Sequence, residues 1–372
     1  MNGPSYPAAR VYAGRIEQHF LRHLKDAAGA SAEAGPAPDA NTIEALVDAA
    51  FWASLQREEG YAPGISLAFM PPERSLRPML FQQALSLGPR ALARLAPAVV
   101  RPGIHLGVWQ LGGELRVWGT TRDVPTVCMV LEVVGPGHLV VKHRIHEDSA
   151  KFRNVAVFEG EQAKIMKGRT QLADAPPLLQ YLLGQESSRL LDETDDVLLR
   201  LAVSMRAHKR GGTLLVVPSG SDSWRESIVH PIVYAVDPPF SELSDLLGEA
   251  SDGPRSDLAR VVDEIAGLTA VDGATLITDR YELLAFGVKI GRPDGRPRVE
   301  RVMVSEPVED GVAERVTPLH LGGTRHNSAA QFTQDQKGAF ALVASQDGRF
   351  TLMAWSERDA MVHAHRMESL LL

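Results

Sequence analysis

The run Leu321-Gly-Gly-Thr-Arg-His-Asn-Ser-Ala-Ala330 sets a guanidinium and an imidazole directly behind two glycines and a threonine. Glycine lets a backbone come close to a ligand, and the small residues that follow suit the opening turn of a helix. A helix start carries backbone N–H groups without internal partners and the positive end of the helix dipole, so an anion is favoured there. Arg325 adds a planar charged fork suited to phosphate. Two readings stay open on these residues: a phosphate-binding turn, or an ordinary loop opening an ordinary helix. A second polar stretch, Val271-Asp272-Gly273-Ala274, leads into the apolar Thr275-Leu276-Ile277. On the residues alone Asp272 reads as a turn residue ahead of a strand.

DGA at 272–274 and, some fifty residues on, GTRH at 323–326 resemble the diadenylate cyclase (DAC) domain family. That family shows a DGA motif and a GTRHRAA motif in the same order. Gly211-Gly-Thr-Leu-Leu-Val-Val217 looks like its early core strand, and the resemblance covers roughly the C-terminal half. It implies condensation of two ATP molecules into cyclic di-AMP with Mg²⁺ or Mn²⁺, a phosphoryl transfer that depends on positioning and on spreading negative charge. It implies a homo-oligomer, because two chains must face each other with one ATP apiece. By the same resemblance Asp272 is a metal ligand and, with Arg325 and His326, a catalytic residue. Gly273, Ala274, Gly323, Thr324, Asn327 and Ser328 fall along the nucleotide.

Three positions depart from the family pattern. Val271 stands where His is common, Asn327 where a second Arg is common, and Ala344-Ser345 where a Ser-Glu pair supplies a metal-holding Glu. One lost charged hydrogen bond is worth about 1.5–3 kcal/mol, or roughly ten- to a hundredfold in rate. A degenerate pocket that binds a nucleotide without cyclising it is therefore the alternative. Lys289, on the strand after DGA, is the candidate replacement cation. Asp347, two residues past Ser345, is the candidate replacement carboxylate and metal ligand. Arg292, Arg296 and Arg298 form a basic loop nearby, and solvated surface charge is the competing reading for all five.

The elements that must position these residues set the fold class, α/β. In 191–372 an amphipathic helix over Asp195–His208 is expected before the strand Thr213–Val217, with helices over Leu243–Leu247 and Leu258–Leu268. Strands are expected at 274–278, 281–289, 339–344 and 350–355, and a closing helix over Val362–Leu372. The last would put His363 and His365 on different helix faces, which excludes them as a ligand pair. A mixed central sheet flanked by helices follows for this cyclase-like domain.

Residues 1–190 read as an α+β domain with an antiparallel sheet. Helical spacing covers 8–27, with Val11, Ile16, Phe20, Leu21 and Leu24 inward. A second helix carries Ile43, Leu46, Val47, Ala50, Phe51 and Leu55, capped by Asn41-Thr42, and 76–95 reads as helix broken near Gly88-Pro89. From His105 short strands alternate with Gly-rich turns, and Trp109 and Trp118 are placed to stack across the first hairpin. The text GELRVWGTTR, PGHLVVKHR and KFRNVAVFEG is similar to the sensor domain called DACNV, found ahead of DAC domains. Its ligand is unknown. Lys142, His143, Arg144 and Lys151 make the basic cluster of this half.

Composition narrows the partners. With 39 Lys and Arg against 46 Asp and Glu, the formal net charge of −7 argues against non-specific nucleic-acid binding. The single cysteine, Cys128, excludes an internal disulfide or cysteine-cluster metal site and sits in an apolar run, as a buried small hydrophobe does. No apolar segment approaches the ~18 residues of a membrane span, and the N-terminal text lacks a signal-peptide core. The expectation is a cytoplasmic protein with no membrane partner.

Overall fold

Alternating apolar strands joined by Gly-containing turns build two sheets, each in its own unit. The computed structural model describes residues 5–27, 36–57, 60, 62–144, 152–166, 193–248 and 255–372. One unit comprises Met1–Lys167 with Leu372, the other Gly168–Leu371.

The N-terminal unit carries helices α1 (Pro7–Ala27), α2 (Ala40–Ser54) and α3 (Pro89–Leu95). Its strands are β1 (Ile65–Phe69), β2 (Met79–Ser86), β3 (His105–Leu111), β4 (Glu114–Thr121), β5 (Met129–Gly135), β6 (His138–Arg144), β7 (Phe152–Glu159) and β8 (Gln162–Ile165). The sheet order is β2-β4-β3-β1-β5-β6-β7-β8. Every neighbouring pair is antiparallel except β1 with β3. Ile16 and Phe20 of α1 and Ile43, Leu46, Val47 and Ala50 of α2 share one core with the inward residues of β1, β3, β5, β6 and β7.

Four expectations for this unit change. Residues 76–95 are not one helix: the run Met79–Ser86 pairs along β4 as an edge strand, and only Pro89–Leu95 is helical. Leu, Gln and Ala are good helix formers, but intrinsic propensity is a weak force beside tertiary context, and ladder pairing overrides it. Asp39, not Asn41-Thr42, caps α2, its Oδ1 accepting from the Thr42 N–H at 2.7 Å. Val11 and Leu21 face outward, because the buried stripe of α1 runs through Ala9, Ala13, Ile16 and Phe20. Trp118 does not stack on Trp109. A register shift at Gly107 lets its indole lie where a Gly107 side chain would be, and Nε1 donates to the Met70 carbonyl at 2.8 Å. Trp109 pairs with Phe69 instead.

Cys128 is fully buried, and that burial pushes its thiol up to about 12. The basic cluster is dispersed: Lys142 pairs with Glu132 at 2.7 Å, His143 is buried, and Arg144 donates to the Val124 carbonyl. Lys151 lies outside the described residues.

The C-terminal unit carries helices α4 (Glu193–Ala207), α5 (Glu242–Gly248), α6 (Arg255–Leu268) and α7 (Thr324–Asp335). Its strands are β9 (Gly212–Val217), β10 (Tyr234–Phe240), β11 (Ala274–Thr278), β12 (Leu283–Val288), β13 (Val302–Ser305), β14 (Glu314–Val316), β15 (Phe340–Ala344), β16 (Phe350–Ser356) and β17 (Met361–Arg366). The order is β10-β12-β11-β9-β15-β16-β17-β13-β14, a mixed sheet with β9/β11 and β13/β17 parallel. Leu214 and Val216 bury one face of β9 with α4 and α6. Leu215 and Val217 bury the other with Ala329, Ala330 and Phe332 of α7. This is the period-2 alternation of a strand covered on both sides.

The expected closing helix is overturned. Residues 361–366 form a strand between β16 and β13. His363 and His365 therefore point to one face, their ring centroids 5.9 Å apart. His365 Nδ1 lies 2.7 Å from Ser305 Oγ, and His363 Nε2 lies 2.9 Å from Asp359. Among the described residues no helix is long and apolar enough to cross a membrane.

Candidate nucleotide site at one edge of the sheet

Strand direction gathers the polar motifs. β11 runs parallel to β9, so Asp272 and Gly273, before β11, lie at the same edge as Gly211, before β9. β12 and β15 run the other way, which brings Lys289 and the Ser345–Arg349 turn to that edge. Thr351 opens β16 opposite Arg366 there as well.

Asp272 is 91% exposed, and Lys289 Nζ donates to its Oδ2 at 2.5 Å. That hydrogen bond first, then the charges of Lys289 and Arg325, hold its carboxyl below the usual value. Gly273 has φ +120°, and a Cβ there would come within 2.4 Å of the Gly287 carbonyl carbon. Only glycine fits this crossing of β11 and β12. Ala274 is buried behind it at the head of β11.

Gly323 is the N-cap of α7 and supplies no side-chain bond to the helix start. Thr324 is exposed, Arg325 half-buried, and His326 buried. Arg325 Nη1 lies 3.2 Å from the position a Gly211 Cβ would take. Among the described residues, no hydrogen bond or ion pair engages its guanidinium. His326 has Nε2 3.3 Å from Thr351 Oγ1, and Gly322 passes so near its ring that a Cβ would meet Nδ1 at 2.4 Å. Burial pushes its pKa down to about 4, with Asp347 pulling upward and Arg349, Arg366 and Arg325 downward. His326 is thus a neutral strut beneath the turn, while Arg325 faces outward.

Asp347 lies in the turn after β15. The Ser345 hydroxyl bond holds its carboxyl below the usual value, and Arg349 Nε lies 3.3 Å from Oδ2. Asp272, Arg325, His326 and Asp347 therefore sit within electrostatic reach in sequence: Asp272 feels Arg325, and His326 feels both Arg325 and Asp347. Asn327 and Ser328 open instead on a cleft of about 260 Å³ shared with Ile290, Arg292, Arg298 and Gln331. Arg296 and Arg292 project their charge toward Asp335 on the same helix.

Sequence reasoning missed three residues at this edge. Gly211 (φ +71°) makes room for Arg325. His208 feels the Arg325 charge. Gln346 ties the β15–β16 turn to the Arg210 carbonyl at 3.3 Å. Only the Gly-Gly pair at 211–212 was a visible signal.

The two carboxylates offer hard oxygen ligands, the donor type Mg²⁺ and Mn²⁺ take, and substrate phosphates commonly complete such a set. A different group, His19, His23 and His143 in the N-terminal unit, could hold a metal ion through nitrogen alone.

Residues 32–122 match the family described as "Probable sensor domain DACNV". This span includes β1–β4 and the segment GELRVWGTTR, whereas the two other segments of the resemblance lie beyond it. No curated protein matches the chain. Among solved structures, a hypothetical membrane spanning protein from Bacillus cereus is similar at 14% identity and TM-score 0.29, over 50% of this chain and 69% of that one. DacA from Staphylococcus aureus, as a double mutant, is similar at 15% identity and TM-score 0.25, over 46% and 85%. Neither likeness, at such scores, bears on chemistry.

Proposed function

We propose that the C-terminal domain, residues 191–372, binds ATP at this sheet edge and that two chains facing each other condense two ATP into cyclic di-AMP and two pyrophosphates. Residues 1–190 serve as a sensor domain for a ligand not yet identified, with neither nucleic acid nor membrane as partner, in the cytoplasm. One observation carries the nucleotide reading: Arg325 is half-buried, engaged by nothing among the described residues, and set at a helix start without a side-chain cap, within the field of Asp272. A free guanidinium beside uncapped N–H groups suits a polyphosphate.

In this reading Thr324 and Arg325 hold the triphosphate, and His326 fixes the turn from below. Gly273 lets the backbone pass close to the nucleotide. The 3′-hydroxyl oxygen of each ATP attacks the α-phosphorus of the other, the bond to pyrophosphate breaks, and the hydroxyl proton leaves to solvent. Asp272 and Asp347 would hold Mg²⁺ or Mn²⁺, which would neutralise charge growing on the phosphates. Lys289 takes the place of a cation missing from the motif.

The Lys289–Asp272 contact favours a second reading. A carboxylate already paired to an ammonium must release it to hold a metal, so the pocket would bind a nucleotide without turning it over. Incubating the purified chain with ATP and Mg²⁺ or Mn²⁺, with mass spectrometry of the products, separates the two. Cyclic di-AMP supports the cyclase; bound ATP without product supports the second reading; no binding removes both.

A further inference from the structure

His19 and His23 lie one turn apart on α1, and His143 on β6 packs against them. The ring centroids are 4.2 Å apart for His19–His23, 5.6 Å for His19–His143 and 5.0 Å for His23–His143. One nitrogen from each ring falls within 4.8 Å of the others. His19 and His143 are buried, and three of their ring nitrogens, both of His19 and Nε2 of His143, have no hydrogen-bond partner among the described residues. Buried polar atoms are ordinarily satisfied, so orphans that converge on one point call for a ligand.

The hydrogen bonds that do exist orient lone pairs inward. His143 Nδ1 lies 2.9 Å from the Arg144 carbonyl, which leaves Nε2 as the bare nitrogen. His23 Nδ1 lies 3.0 Å from the His19 carbonyl, which leaves Nε2 to the Arg153 guanidinium. Backbone carbonyls fix metal-ligating imidazoles in this same way. A His pair at i, i+4 with a third His from a neighbouring element is a three-nitrogen donor set. Imidazole nitrogen suits Zn²⁺, Ni²⁺ or Cu²⁺, whereas Mg²⁺ and Mn²⁺ prefer oxygen.

We propose that His19, His23 and His143 bind a divalent transition ion of the Zn²⁺ type inside the N-terminal unit. Arg153 and Arg22 both oppose a cation here, and Arg153 Nη1 donates to His23 Nε2 at 3.1 Å. Binding exchanges that hydrogen bond for a metal–nitrogen bond. The guanidinium then faces the ion's remaining position, where water or an anion completes a tetrahedron. The three residues lie outside the span matched by the sensor family.

The test titrates Zn²⁺ alone into the full chain against a chromophoric chelator, with Co²⁺ absorption as a second readout. The expected result is one ion per chain, visible bands of a tetrahedral Co²⁺ site, and Zn²⁺ affinity weakened about tenfold or more by His23→Ala or by His143→Gln. His23 is only half-buried, so His23→Ala should keep the metal-free melting midpoint and lose the Zn²⁺-induced rise. Zn²⁺ binding unchanged in His23→Ala, or no Co²⁺ bands in the wild-type chain, overturns the site.

Discussion

Arg325 and His326 are adjacent in the chain and opposite in environment. The sequence offered both as phosphate-facing groups. The fold leaves Arg325 half-buried and sinks His326, because the first turn of α7 packs its 326 and 329 positions inward. Burial at His326 has a consequence for pH. Its folded pKa of about 4 lies below the unfolded value near 6.5, so the fold favours the neutral ring. The stabilisation is complete above about 6.5 and is lost as pH falls through 4, amounting to about 3 kcal/mol by linkage. His365, pushed down to about 3 by burial, acts in the same direction. Urea unfolding of the C-terminal unit should therefore weaken steeply between pH 6.5 and 4, and His326→Gln should flatten that slope. A second residue-level prediction concerns Gly273. Alanine there combines a positive φ with a backbone clash, and should cost about 2 kcal/mol or more in urea unfolding.

At the scale of elements, strong local patterns were legible and cooperative ones were not. The existence of α1, the stripes of α4 and α6 and the apolar strands β9, β11, β15 and β16 follow from periodicity alone. β2 and β17 do not, because Leu-Phe-Gln-Gln-Ala-Leu and Val-His-Ala-His pair with neighbours whose positions a local reading cannot supply. The same limit applies to the site. DGA and GTRH could be read from the text, but that Gly211, Lys289 and the Ser345 turn join them follows only from strand direction and register. Caps are a local feature that invited a near miss: Asp39, two residues ahead of Asn41, bonds Thr42. Asp39→Ala should destabilise the N-terminal unit by about 1 kcal/mol, read from its urea midpoint.

The whole molecule joins a sheet that matches a sensor family over part of its length to a second sheet whose edge collects charge. If cyclisation needs two chains face to face, the rate per chain must rise with chain concentration in the dilute range. A specific activity independent of concentration from nanomolar to micromolar, with the chain shown to be monomeric, would remove the facing-pair arrangement. The most direct measurement is equilibrium ATP binding to the wild-type chain and to Arg325→Ala, each checked for an unchanged melting midpoint. Loss of a free guanidinium from phosphate should weaken affinity about tenfold or more. Equal affinity in the two proteins would mean that the nucleotide, if bound at all, sits somewhere other than this edge.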